Sequence, residues 1–274
     1  METPLLSLEL AQEIEIAEAE AAVDCAERLR SAPHGEGAVS PVAGGYAIYC
    51  GANSPVTQAV GLGLNGPVSK EEFDNLEQFY FSRNEPVRVE TCPLADMTLI
   101  EHYRERGYGV TEFSNVMVRP VEKPAITGDS VGIDVQKAGA SELDLWVLTV
   151  AQGFAEHFPV TQELLDIMRM FASGKTTECY LARIDGKVVG GATVAIRGRI
   201  AGLFGASTLP PYRKRGVQTA LLHRRMQRAA DCGCELAMSL AQPGSASQRN
   251  IARQGFQTLY TRVKFEKPAT SRQP

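Results

Sequence analysis

The sequence predicts a mixed α/β protein of the α+β type, built as two tandem domains of like design. Three observations carry that expectation. Stretches of strand-like alternation and of helical periodicity follow one another in both halves of the 274-residue chain. Each half closes strand–helix–strand–helix–strand, and its last helix runs into a Gly-aromatic pair: Gly107-Tyr108 and Gly255-Phe256, each glycine followed 13 residues on by a proline, Pro120 and Pro268. Between the halves, Arg119 to Ser130 holds two prolines, a glycine and no apolar periodicity, and reads as a linker. The domains are therefore expected at 1–125 and 126–274, and a repeat this long points to duplication of a whole domain.

Taken in order, Leu6–Arg30 reads as a long acidic helix, followed by a Gly/Pro/Ser loop and strands at Tyr46–Cys50 and Thr57–Gly63. Ser69 with Glu72 forms a capping box, and Phe73, Leu76, Phe79 and Tyr80 recur at helical spacing to about Arg83. Val87–Thr91 is a strand, Asp96–Arg106 a helix and Val110–Val118 the strand that ends the first half. In the second half, Ser141 with Asp144 opens a helix to about Phe154, and Thr161–Ala172 is another. Cys179–Ile184 and Lys187–Ile196 form a hairpin around Asp185-Gly186. Ile200–Thr208 is largely apolar and so a central strand. Gly216–Asp231 is a helix with Val217, Ala220, Leu221 and Met226 on one face and Arg224, Arg225 and Arg228 on another, stopped at Gly233. Glu235–Leu240, Ser247–Gln254 and Phe256–Phe265 read as strand, helix and closing strand.

Composition removes several function classes. With 44% hydrophobic and 22% charged residues the chain is an ordinary globular one. No run of eighteen apolar residues occurs, so no membrane span is expected, and the start turns acidic within a few residues and lacks the basic opening of a secretory signal. Six cysteines in a chain this long do not make a disulfide framework, so they are read as reduced thiols in a cytoplasm. Residues 1–126 carry 9 basic and 20 acidic groups, and residues 127–274 carry 19 and 12. A phosphate-bearing ligand is expected in the second half, and the acidic first half argues against a nucleic-acid partner.

The chemistry concentrates in Thr208-Leu209-Pro210-Pro211-Tyr212-Arg213-Lys214-Arg215-Gly216-Val217-Gln218-Thr219. A strand end, a proline-stiffened turn, a basic cluster and a helix start follow in succession. The first turn of a helix has free amides and a partial positive charge, so it is a ready anion site. Gly216 lets a phosphate approach the backbone, and Arg213, Lys214 and Arg215 add charge beside it. No Gly-Lys-Ser/Thr follows, which excludes the nucleoside-triphosphate loop.

This arrangement resembles the GNAT superfamily of acyl-CoA-dependent N-acyltransferases over roughly residues 131–267. Its Arg/Gln-x-x-Gly-x-Gly/Ala signature, which cradles the pyrophosphate of coenzyme A, is met by Arg213-x-x-Gly216-x-Gln218, with Gln218 departing from the usual small residue. The resemblance implies acetyl-CoA as acyl donor, held by Ser207, Thr208, Leu209, Arg213, Lys214, Arg215, Gly216, Val217, Gln218, Thr219 and Asn250. Ser207, Thr208 and Leu209 would pair with the pantetheine arm from a strand splayed from its neighbour. Asn250 would contact the arm from the helix before Gly255, or is a plain helix-surface amide. The tyrosine that often protonates the departing thiolate in this family falls on Ile251, and no Asp or Glu lies in Ile200–Leu209. Tyr260 and Glu235 remain but read as structural, so no catalytic residue is named. The acceptor is a small-molecule or peptide amine, and the chain is expected as a monomer or homodimer.

Gly61-Leu62-Gly63-Leu64-Asn65-Gly66 matches G-x-G-x-x-G after a strand, with Glu90 ending the next strand. However, Pro67 and the Ser69–Glu72 box start the helix three residues late, in the acidic half. The loop is expected to be a degenerate, non-catalytic copy of the motif, with a nicotinamide site as the lesser reading. Cys232-Gly233-Cys234 lacks the further ligands of a metal site, and His34, His102, His157 and His223 are scattered, so no metal is expected. Trp146, Phe154 and Phe158 belong either to an acceptor pocket or to the helical core. The function expected is N-acetyl transfer to an amine, with a non-catalytic acyl-CoA sensor or scaffold as the alternative.

Overall fold

The structure is a computed structural model, and the described residues are 3–31, 35–52, 54–122, 132–155 and 159–269. His34, His157, Phe158 and linker positions 123–130 lie outside them. In chain order the elements are α1 (Leu8–Ser31), β1 (Ala38–Val42), β2 (Gly45–Tyr49), β3 (Gln58–Val60), α2 (Lys70–Phe81), β4 (Val87–Thr91), α3 (Met97–Arg106), β5 (Gly109–Pro120) and β6 (Asp134–Lys137). They continue with α4 (Leu143–Phe154), α5 (Gln162–Ala172), β7 (Thr177–Ile184), β8 (Lys187–Arg197), β9 (Ile200–Thr208), α6 (Val217–Asp231), β10 (Leu236–Ala241), α7 (Ala246–Ala252) and β11 (Gln257–Lys267). The mixed α/β class and the repeated order of elements are both present.

The local signals act as their chemistry requires. The Ser69–Glu72 box closes α2 in both directions: Glu72 N–H donates to Ser69 Oγ, and Ser69 N–H donates to Glu72 Oε2 at 2.8 Å. Asp96 caps α3, and Gly107 ends it in the left-handed conformation at φ 74°. Two strands escape the periodicity argument. β1 contains Pro41 and pairs only with β2, as a short edge strand tolerates; β6, four residues long, pairs with β7 at the edge of the second unit's strands. The α4 start also differs: Glu142, not a Ser141 cap, accepts the Gly139 N–H at 3.0 Å, after a 3₁₀ turn at Ala140–Glu142.

The chain divides into two compact units, Pro4–Met117 with Leu240–Pro274, and Val118–Ser239 with Met1–Thr3. In the first, the strand order is β1-β2-β3-β4-β11-β5; β1–β2, β2–β3 and β4–β11 are antiparallel, and β3–β4, joined across α2, is parallel. Phe73, Leu76 and Tyr80 of α2 and Leu99 and Tyr103 of α3 pack on Ala47, Ala59, Val87 and Val89. Each large side chain so buried contributes about 1.5–3 kcal/mol. In the second unit, β6-β7-β8-β9-β10 is likewise antiparallel except for β9–β10, joined across α6. Its core gathers Trp146, Val147, Val150, Met168 and Leu181.

The expected division at 125/126 meets one structural difference. β11 does not close the second half; it pairs antiparallel with β4, Val263 opposite Thr91 through Lys267 opposite Val87. Side-chain chemistry explains the placement. On one face, Arg262 bonds Glu15 and Glu18 of α1, and Lys264 bonds Glu90 and Glu112 at 3.0 and 2.8 Å. On the other, Phe265 stacks on Tyr103 at 4.3 Å, and Lys267 reaches Glu77. Residues 240–274 hold six Lys/Arg and one acidic residue. Most of the positive excess of the second half therefore belongs with the acidic unit, and the case for a phosphate site narrows to the cluster at 213–215.

Candidate functional site

The site is assembled where β9 hands over to α6. Leu209 N–H donates to Val189 O at 2.9 Å, and Pro210–Tyr212 makes one 3₁₀ turn. Lys214 (φ 60°) and Gly216 (φ 85°) then take left-handed conformations within three residues, which turns the chain sharply into α6. Gly216 is the N-cap of α6, no side chain caps the helix, and a Cβ there would meet only Ile133 Cδ1 at 3.7 Å. An uncapped helix start, open in front and flanked by exposed Lys214 and Arg215, attracts an anion by dipole and charge together.

The basic residues divide their work. Arg213 turns inward: its Nε donates to Thr208 O at 3.3 Å and its Nη2 to Gly153 O at 2.9 Å, bracing the strand end against α4. Arg215 lies over the Tyr212 ring at 5.5 Å. Gln218 Nε2 donates to Thr208 Oγ1 at 3.0 Å, which draws the long side chain back onto the strand. Val217 is buried beneath the helix start. Thr219 lies in the first turn, partly exposed.

Next to the cradle β9 opens. Its parallel pairing with β10 runs only from Ile200–Leu236 to Gly202–Met238, although β9 continues to Thr208. At the fork Ser239 Oγ donates to Leu203 O at 3.0 Å. The backbone of Phe204–Thr208 is thus unladdered on that side, an edge able to bond an extended amide-bearing chain. On its other side Ser207 Oγ donates to Val150 O at 3.0 Å, so this side chain is committed to α4.

Glycines that the motif reading missed make this geometry possible. A Cβ on Gly153 would sit 2.3 Å from Ser207 Oγ, and one on Gly191 would sit 2.7 Å from Val150 Cγ2. Consecutive Gly190 and Gly191 inside a strand were the visible signal of this close approach. Gly153→Ala is expected to lower stability by about 1–3 kcal/mol through overpacking, read as an earlier denaturation midpoint. An unmoved midpoint would show that α4 yields freely. Trp146 is fully buried, with Nε1 donating to Ala192 O at 3.3 Å, and belongs to the core; Phe154 is half-exposed at the end of α4.

Other candidates lie elsewhere in the fold. Asn250 is exposed on α7, within the segment that clusters with the first unit, and its Oδ1 accepts from Arg253 Nη1 at 2.8 Å. Glu235 pairs with Arg199 at 3.0 Å. Tyr260 belongs to the β11 ion network: its hydroxyl donates to Glu15 Oε1 at 2.7 Å, and burial, then the Glu15 charge, push its pKa up. A phenol so held is a poor proton donor, and Tyr260→Phe is expected to lower stability by about 1–3 kcal/mol, read as an earlier denaturation midpoint. An unmoved midpoint would overturn this placement. All six cysteines are free, and among the described residues no group of three His, Cys, Asp or Glu side chains is placed to hold a metal.

The corresponding loop of the first unit is built differently. Gly63 N–H donates to Ala43 O at 2.9 Å, Gly63 O accepts from Asp96 N, and Gln12 Nε2 bonds Leu64 O and Asn65 Oδ1. The α2 start already holds a carboxylate, Glu72. The loop's polar groups serve the fold, and the helix start repels an anion.

Residues 145–256 match the model of the acetyltransferase (GNAT) family. Among solved structures the chain is similar to a GCN5-related N-acetyltransferase from Kribbella flavida, with TM-score 0.67 and 16% identity over 93% of this chain and 96% of the other. It is also similar to a tandem GNAT protein from the clavulanic acid biosynthesis pathway, with TM-score 0.60 and 14% identity over 97% and 96%. No curated protein matches the sequence significantly. Residues 145–256 thus match the GNAT acetyltransferase family, in a chain whose fold is similar to those of these two solved GNAT proteins over nearly its whole length.

Proposed function

We propose that the second unit binds acetyl-CoA and transfers its acetyl group to an amine of a small molecule or peptide. The observation that carries this reading is the juxtaposition of the uncapped α6 start at Gly216 with the unladdered edge of β9. The pyrophosphate fits the amides of Gly216–Thr219 between Lys214 and Arg215, and the amides of the pantetheine arm fit Phe204–Thr208. The thioester then lies along β9. The amine nitrogen attacks its carbonyl carbon, the C–S bond breaks, the sulfur leaves as thiolate and takes a proton, and the nitrogen gives one up. No side chain near Gly216 is assigned to either proton. Orientation of the amine against a good leaving group supplies the rate, since well-aligned reactants gain about 7–11 kcal/mol.

The first unit acts in this reading as a degenerate copy without its own coenzyme, because its loop and helix start are filled by Gln12, Asn65 and Glu72. The free thiols suit a reducing cytoplasm. Calorimetric titration with acetyl-CoA is expected to give one site per chain, and an amine panel is expected to yield free thiol. Two equivalent sites would overturn the assignment of the first unit. Tight binding without thiol release from any amine would favour the second reading, a coenzyme sensor, which the apolar Ile251 at the family's tyrosine position supports.

A further inference from the structure

We propose that Thr193 and Arg225 are positioning residues that lock a bulge in β9, and so aim the backbone edge on which acyl transfer takes place; the inference rests on the reading of the site given above. Across β8 and β9, Gly191 opposes Ser207 and Thr193 opposes Phe204, which leaves Ala192 facing two residues, Gly205 and Ala206. Gly205 has φ 58°, the left-handed conformation a glycine takes as the extra residue of a bulge. The bulge lies between Gly202, where β10 stops pairing, and Ser207–Leu209, where the chain turns into the cradle.

Three side chains hold it. Trp146 Nε1 donates to Ala192 O at 3.3 Å, covering the residue opposite the bulge. Thr193 Oγ1 donates to Phe204 O at 2.7 Å, across to the residue just before it. Arg225 Nη1 donates to Thr193 O at 3.1 Å, while its Nε holds Leu221 O at 3.1 Å. Thr193 is fully buried, and Arg225 is 4% exposed. A cation kept inside and turned toward carbonyl groups is unfavourable for folding, and burial lowers its pKa to about 10. A methionine would fill similar space without that penalty, so packing alone does not account for the guanidinium.

Its position does. As the amine adds to the thioester, negative charge grows on the carbonyl oxygen, and a backbone N–H stabilises it best when it is already in place. A bulge sets the direction of the amides that follow it, and an error of about 1 Å costs roughly 100-fold in rate. Thr193 and Arg225 therefore act through β9 without touching the substrate.

The test compares wild type with Thr193→Val, Thr193→Ser and Arg225→Met. Amide hydrogen exchange of the peptide spanning 204–209 is followed in the free protein, coenzyme A affinity by calorimetry, and thiol release from saturating acetyl-CoA with benzylamine as a generic acceptor. Thr193→Val is expected to speed exchange in that peptide about tenfold and to cut kcat by roughly 30- to 100-fold, with Kd for coenzyme A moving less than about threefold. Thr193→Ser should restore both. Arg225→Met reads the same outcome by a second route, with slowed turnover at an undiminished melting temperature. The inference falls if exchange and kcat stay at wild-type values, if Kd and kcat collapse together, or if serine fails to rescue. Wild-type protein that binds no coenzyme A, or that binds acetyl-CoA without releasing thiol to any member of the amine panel, would overturn the proposed function itself, and is distinguished by showing that result before any substitution is made.

Discussion

On the proposed reading acetyl-CoA raises the melting temperature of the wild-type protein, and Gly216→Glu is expected to abolish that rise. A ligand bound only by the folded state at about 100 times its Kd stabilises it by about 2.7 kcal/mol, which is several degrees for a unit of this size. Glutamate removes that gain in two ways. It places a carboxylate at the positive end of α6, where the pyrophosphate would lie, and it must adopt φ 85°, which favours glycine. The space before Gly216 is open but for Ile133 Cδ1 at 3.7 Å, so the variant is expected to fold with a modest strain penalty of about 1–2 kcal/mol. Gly66→Glu is the matched control: its φ is 117° and nothing stands within 4 Å, yet it belongs to the first unit's loop. It should leave the acetyl-CoA shift intact. A shift that survives Gly216→Glu, or disappears in Gly66→Glu, would move the coenzyme away from α6.

Arg262→Met is expected to be the most destabilising single change outside the site, at roughly 3–5 kcal/mol. Arg262 and Glu15 are both fully buried, their ion pair is 2.7 Å long, and Glu18 takes the other arm of the guanidinium. Burial opposes the charge on Arg262, but Glu15 and then Glu18 hold its pKa well above the ordinary value. Methionine would leave two carboxylates facing each other under α1, with Glu15 Oε2 already without a hydrogen-bond partner among the described residues. The double variant Glu15→Leu with Arg262→Met removes the fully buried pair and leaves only the partly exposed Glu18 and the Tyr260 hydroxyl without their partners, so it should recover part of the loss, because an apolar pair avoids the desolvation that an ion pair must offset. A double variant no better than the single would show that packing of the arginine stem, not its charge, holds β11 in the first unit.

Much of the fold was legible in the residues themselves. The Ser69–Glu72 box, the Asp185-Gly186 hairpin, the apolar run Ile200–Thr208 and the glycine at 216 are signals in which local chemistry and final structure agree. They are local because the groups that satisfy one another lie within a few residues. The short edge strands β1 and β6 were not legible, since their pairing partners, and not their own alternation, make them strands.

The sequence by itself determined the class of the chain, its repeated order of elements and the place where an anion can meet a helix start. Only the tertiary structure decided which unit owns β11, that Arg213 braces Gly153 while Lys214 and Arg215 stay exposed, and that Tyr260 bonds Glu15. The physical reason is one of range. Capping, turns and periodicity are fixed by neighbours along the chain, whereas an ion pair such as Glu15–Arg262 or a glycine contact such as Gly153–Ser207 joins residues that the sequence keeps far apart, and only packing brings them together.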